Sequence, residues 1–114
     1  MPFEGAYPLH LAVVISDQEI VQIFLDNGAK VDLQARNNDK ATPLHWAAFF
    51  QRKDMVLLLI ESGAPTNALD ANNFTPIDSA WLVWSVSRDD EEKARLEEIT
   101  AVIKDNGGVS ARDL

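Results

Sequence analysis

No cysteine occurs in the chain. Disulfide scaffolds, thiolate metal sites and cysteine nucleophiles are excluded with it. Histidine is scarce too: His10 and His45 are the only two. Basic residues are few, with 10 Lys and Arg against 18 Asp and Glu, a formal net charge of −8. Binders of nucleic acid or anionic membrane need a basic face, so that balance argues against both. No apolar run approaches the ~20 residues of a membrane-spanning helix. The start, Met1-Pro2-Phe3-Glu4-Gly5, has neither a basic segment nor an apolar stretch. No secretory signal is therefore expected, and a cytoplasmic location is the default. What remains is ordinary for a soluble globular protein, with 46% hydrophobic and 25% charged residues. The 114 residues point to a single domain. A chain of that size buries roughly 65% of its unfolded surface, enough for a core without staples.

Self-similarity is the strongest positive signal. Shifted by 35 residues, Pro8-Leu9-His10 falls on Pro43-Leu44-His45, Ala12 on Ala47, Val21 on Val56, and Gly28-Ala29 on Gly63-Ala64. A further shift of 33 brings Thr42-Pro43-Leu44 onto Thr75-Pro76-Ile77 and Ala47 onto Ala80. Pro8 to Gly28 and Pro43 to Gly63 each span 20 residues; Pro76 to Gly107 spans 31, so the third unit carries 31 − 20 = 11 more.

Each unit reads as helix, turn, helix, loop. Thr42-Pro43 and Thr75-Pro76 are helix starts, a hydroxyl N-cap followed by proline in the first turn. Tyr7 stands in place of the Thr in the first unit. Ser16 and Glu19 have capping-box spacing, which predicts a second helix opening at Ser16. Ile20, Val21, Ile23 and Phe24 recur along it at helical spacing. Gly28, Gly63 and Gly107 close the second helices, each suited to the left-handed residue after a helix end. The loops 30–41 and 65–74, rich in Asn, Asp and Ala, suit turns or hairpins.

These residues resemble the ankyrin repeat. Thr42-Pro43-Leu44-His45-Trp46-Ala47-Ala48 with Gly63-Ala64 is the closest copy, and the resemblance covers 3–108 with repeats of about 3–36, 37–70 and 71–108 and a tail at 109–114. It implies an all-α solenoid of stacked helix-turn-helix units with protruding hairpin loops. The hairpin glycine usual in that family is replaced by Lys40 and by Asn73. The first hairpin, with 15 steps from Gly28 to Pro43 against 13 from Gly63 to Pro76, should protrude further. The tail resembles the natural end of such proteins.

The stacking reading is physical as well. One helix pair cannot bury its apolar face, so several must stack and the end units must tolerate solvent. Met55-Val56-Leu57-Leu58-Leu59-Ile60 suits a helix sandwiched on both sides. Ser87 is expected to cap a longer last helix whose first turn holds Asp89, Asp90, Glu91 and Glu92, with Leu96, Ile99, Val102 and Ile103 inward. Nine of the 18 acids lie from Asp78 onward, so that end should be the more negative.

No constellation of catalytic type emerges. His10 and His45 sit at equivalent positions in units stacked ~10 Å apart, too far to share an ion bound at ~2.1 Å per ligand. The resemblance implies a structural role, tying a helix to the neighbouring loop. The acids at 89–92 lack the alternating spacing and glycine of a calcium loop. Ser16, Ser79, Ser85 and Ser87 lack a nucleophile-elbow context, and no phosphate-binding glycine loop is present. Asn73-Phe74-Thr75 is a glycosylation sequon, read as coincidental outside a secreted protein. No catalytic residue, cofactor or metal is expected.

The resemblance implies partner docking on hairpin tips and on the concave face of the first helices. Carried over, the loop positions are Phe3, Glu4 and Ala6; Asn38, Asp39 and Ala41; Ala71, Asn72 and Phe74. The positions after the Ala pair are Val14 and Ile15, Phe49 and Phe50, Leu82 and Val83. All six of the latter are large and apolar. An aligned apolar strip suggests an interaction site, with Phe49, Phe50, Phe74, Trp46 and Trp84 as aromatic anchors. Its partner would present apolar pockets with a basic rim. Alternatively, segment 83–93 folds over the strip and makes it core, or the strip serves self-association or packing against another domain of a larger protein. The expected function is a non-catalytic protein-binding module.

Overall fold

Proline in the first turn and a left-handed glycine at the far end recur three times, twice with a hydroxyl just before the proline, and each recurrence produces a helix pair. The computed structural model describes residues 7–15, 17–36 and 40–114. Among them the helices run α1 (Pro8–Ile15), α2 (Gln18–Asp26), α3 (Pro43–Phe49), α4 (Lys53–Glu61), α5 (Pro76–Val86) and α6 (Asp90–Asp105), followed by a short 3-10 turn, Ala111–Asp113. There is no strand among the described residues. The all-α solenoid is thus the observed fold.

The starts of α3 and α5 are full capping boxes. Thr42 accepts the His45 amide while His45 accepts the Thr42 amide, and Thr75 and Asp78 exchange the same pair. In α1, Tyr7 has no hydroxyl to offer at that position, but half the box survives: the Tyr7 amide donates to His10 Nδ1 at 3.3 Å. The start of α2 differs from the expectation. Ser16 lies outside the described residues, and the cap is Asp17, whose Oδ1 accepts the Ile20 amide at 3.1 Å. The start of α6 also differs. Asp89, not Ser87, caps it by accepting the Glu91 amide at 2.9 Å, while Ser87 Oγ accepts the Asp89 amide. A carboxylate outcompetes the hydroxyl because it also meets the positive helix end.

Gly28, Gly63 and Gly107 stop α2, α4 and α6 with φ of 90°, 92° and 89°. That region is almost free for glycine and costly for other residues. Lys40 and Asn73, which replace the hairpin glycine, adopt it nonetheless, at φ 51° and 61°. The two hairpins close on Ala35 N–H to Ala41 O and Asp70 N–H to Phe74 O. The first encloses two residues more, as its longer spacing predicts.

The helices form two layers. α1, α3 and α5 stack in one, α2, α4 and α6 in the other, and each pair packs internally. Leu9, Val13, Val21, Leu44, Met55, Val56, Leu59, Leu96, Ile99 and Ile103 form one continuous core through all three units. The extra residues of the third unit lengthen α5 and α6 rather than forming a flap. Segment 83–93 therefore does not fold back: α5 runs on to Val86, and α6 begins at Asp90.

Candidate interaction surface

Each unit is bonded to the next by a side chain at one recurring position. His10 Nε2 donates to the Ala41 carbonyl at 2.7 Å, and His45 Nε2 to the Phe74 carbonyl at 2.8 Å. Both Nδ1 atoms accept a backbone amide, from Tyr7 and from Thr42. With Nδ1 an acceptor, the proton sits on Nε2 and the ring is neutral. Both imidazoles are fully buried. Burial pushes their pKa values below the ordinary histidine value, against the pull of the carbonyls they bond. They are inter-unit bolts with no free nitrogen for a metal or a substrate.

Asp78 holds this position in the third unit and inverts the bond. It accepts from the Thr75 amide at 3.1 Å, Ser110 Oγ at 2.7 Å and the Ala111 amide at 2.9 Å. Burial would raise its pKa, but those hydrogen bonds prevail and hold the carboxyl below the usual range. The tail is thereby docked as the next hairpin would be. A second ladder of amide side chains runs beside the first. Gln34 donates to Leu69 O, while Asn67 donates to Gly107 O and accepts the Val109 amide.

This scaffold sets where the candidate partner residues lie. Phe3, Glu4, Ala6, Asn38 and Asp39 fall outside the described residues. Ala41 and Trp46 are fully buried and cannot touch a partner. Trp46 is instead wedged edge-on against His10, ring centroids 5.2 Å apart, which makes it a filler between the first two units. At the second hairpin Ala71 and Asn72 are exposed and Phe74 half-buried. The loop is shaped by Asp70, whose Oδ1 accepts the Asn72 and Phe74 amides. Sequence reasoning passed over Asp70, although Asp at the head of Asp70-Ala71-Asn72-Asn73 is the signal of such a side-chain-closed turn.

The strip after the Ala pairs is uneven. Ile15 is 75% and Leu82 46% exposed. Val14, Phe49, Phe50 and Val83 are half-buried. The Phe49 and Phe50 rings meet edge-on at 5.1 Å, and Phe50 lies 6.1 Å from Trp46. These phenylalanines therefore serve the core and the surface together, an outcome between the two alternatives of an exposed strip and a covered one. Trp81, not singled out before, is 40% exposed. It stands where Ala48 stands in the middle unit, and a Trp at that small-residue position was the available clue. Trp84 meets it edge-on at 5.3 Å and carries Lys93 Nζ 4.6 Å above its ring.

No group of three or more His, Asp or Glu side chains among the described residues could hold a metal ion. Nor is any described helix long and apolar enough to cross a membrane. A family model described as ankyrin repeats, three copies, matches residues 2–80. That match ends just before Trp81, where the third unit departs from the small residue of the second. No curated protein matches the chain. Three stacked helix pairs, bolted by the side chain three residues after the position that precedes each helix-opening proline, agree with that match, and the chain belongs to the ankyrin-repeat family, whose repeats are protein–protein interaction modules.

Proposed function

We propose that this protein is a non-catalytic module that holds a protein partner on the face formed by the ends of α1, α3 and α5 and by the second hairpin. One observation carries the reading. Residues after the Ala pair remain accessible in all three units, from Ile15 through Phe49 and Phe50 to Leu82 and Val83. Half-buried aromatics that are rigid before binding lose little entropy on contact, which favours them as anchors. Ala71, Asn72 and Phe74 extend the surface at the hairpin, and Trp81 and Trp84 prolong it at the far end. The partner is a protein with apolar pockets and a basic rim, matching the net charge of −8. The module is one domain built from units 3–36, 37–70 and 71–108 with the tail 109–114, working in the cytoplasm.

Ile15→Ser with Leu82→Ser is the direct test. Both side chains are exposed, so the melting temperature should stay within a few degrees while partner capture falls at least tenfold. Unchanged capture by this variant rejects the proposed face. Phe49→Ser with Phe50→Ser should lose binding too, but with a clear drop in thermal stability, because both rings also pack inward. Self-association is the second reading, favoured by the same exposed Ile15 and Leu82. Sedimentation over a hundredfold concentration range decides it.

A further inference from the structure

The two ends of the stack are built differently. Aligned on the closing glycines Gly28, Gly63 and Gly107, the residues eight, five and four positions earlier are Ile20, Ile23 and Phe24 in α2, Met55, Leu58 and Leu59 in α4, and Ile99, Val102 and Ile103 in α6. In α4 they are 0%, 6% and 0% exposed. In α6, Ile99 and Ile103 are fully buried and Val102 is half-buried. In α2 the same three are 42%, 59% and 37% exposed. The difference follows from stacking: α4 packs on α2, and α6 on α4, whereas α2 has no helix before it among the described residues. These positions form the face on which a unit receives a neighbouring helix.

The opposite face shows the contrast. Seven and three positions before the glycine stand Val21 and Leu25, then Val56 and Ile60, and in the last unit Thr100 and Lys104. The far end has exchanged apolar residues for polar ones at both positions, Lys104 exposed and Thr100 buried with its hydroxyl on the Glu97 carbonyl. The near end has not. At 100° per residue, Ile20, Ile23 and Phe24 cover about 100° of α2, the width of a helix-packing stripe.

We propose that this face of α2 docks an amphipathic helix of a partner protein, with small aliphatic residues on its contact side and Lys or Arg along its flanks. Charge decides the flanks. From Tyr7 to Asn27 the only charged residues are Asp17, Glu19 and Asp26. Asp17 lies beside Phe24 on the helical wheel, and Glu19 and Asp26 lie beyond Ile23. A second copy of the chain laid α2 on α2 would set these three acids against their own counterparts, which like-charge repulsion disfavours. A basic amphipathic helix meets apolar with apolar and acid with base. The surface is separate from the strip of Ile15, Phe49 and Leu82 and does not rest on that reading.

The test uses the full chain and designed peptides of about 20 residues, long enough to hold a helix in water. One peptide carries a Leu/Ala face flanked by Lys; its isomer has Glu in place of every Lys. Fluorescence anisotropy of the labelled peptides should show the Lys form binding at least tenfold more tightly. Ile23→Gln with Phe24→Gln, which leaves the net charge unchanged, should weaken it at least tenfold, and Ile23→Lys alone should do the same. Circular dichroism should show all variants folded, and Ile15→Ser with Leu82→Ser should leave the affinity intact. Equal affinity of the two peptides, or binding that survives Ile23→Gln/Phe24→Gln as general charge attraction does, overturns the proposal. So does concentration-dependent dimerisation of the native chain that this double variant abolishes, for then a second copy takes the face.

Discussion

His45 shows how much one residue holds. Its backbone amide and ring complete the cap of α3, and its Nε2 reaches the next hairpin. Replacing it by Ala leaves the Thr42 amide and the Phe74 carbonyl without their partner, and should cost ~1–3 kcal/mol in chemical denaturation. The ring must also be neutral, because a proton on Nδ1 would face the Thr42 amide donor to donor. Folding lowers the pKa of both His10 and His45 below the ordinary 6.5. The unfolded chain therefore takes up protons first as pH falls. The stability contributed by neutral imidazoles is complete above pH 6.5 and is lost as pH drops below it. Thermal melts from pH 7.5 to 5 should show a falling midpoint, with a flatter slope in His10→Gln/His45→Gln. Asp78 has a depressed pKa as well, so its contribution persists above its ordinary value of 3.8 and is lost only under stronger acid. Lys40 holds φ 51° without the freedom of glycine. Left-handed backbone costs an ordinary residue ~1–2 kcal/mol, so Lys40→Gly should raise stability by about 1 kcal/mol after glycine's own entropy loss.

Among the elements, the hairpin tail and the helix ends do the joining. Arg52 Nη1 donates to the Val14 carbonyl at 2.9 Å, so the turn before α4 closes the open end of α1. Asp78 does the corresponding work at the far end by gathering Thr75, Ser110 and Ala111. Asp78→Ala should speed hydrogen exchange at the Ala111 amide at least tenfold while leaving amides of α3 protected. Uniform acceleration across the chain would show instead that Asp78 supports global stability. Much of this was readable in advance. Thr42-Pro43, Thr75-Pro76 and the three closing glycines mark helix limits through local chemistry, which tertiary context seldom overrides. The caps of α2 and α6 were misread, because Ser16, Asp17, Ser87 and Asp89 all offer side-chain acceptors and only the path of the chain selects between them.

For the whole molecule, the stack behaves as a line of units in which neighbours supply most of the stability. The middle unit, covered on both sides, has Leu44, Met55, Val56 and Leu59 fully buried. Its amides in α3 and α4 should exchange slowest, and those of α2, with three exposed apolar residues, should be the first of the helical amides to open. Trp46 couples the first two units through His10. Trp46→Ala should cost ~3–5 kcal/mol, and in a two-probe melt the first unit should unfold before the rest. A single shared transition in that variant would mean that Trp46 does not carry the coupling.

The sequence alone determined the period, the starts of α3 and α5 and the closing glycines, because these depend on residues close together along the chain. It also placed the histidines as ties between units. Exposure was decided by tertiary structure, since a helix position is buried or bare according to what stacks upon it. Trp46 and Ala41 have the composition of a contact surface yet lie wholly inside. Ile20, Ile23 and Phe24 look like core by spacing yet lie open, because among the described residues no helix covers them as α2 and α4 cover their counterparts in α4 and α6.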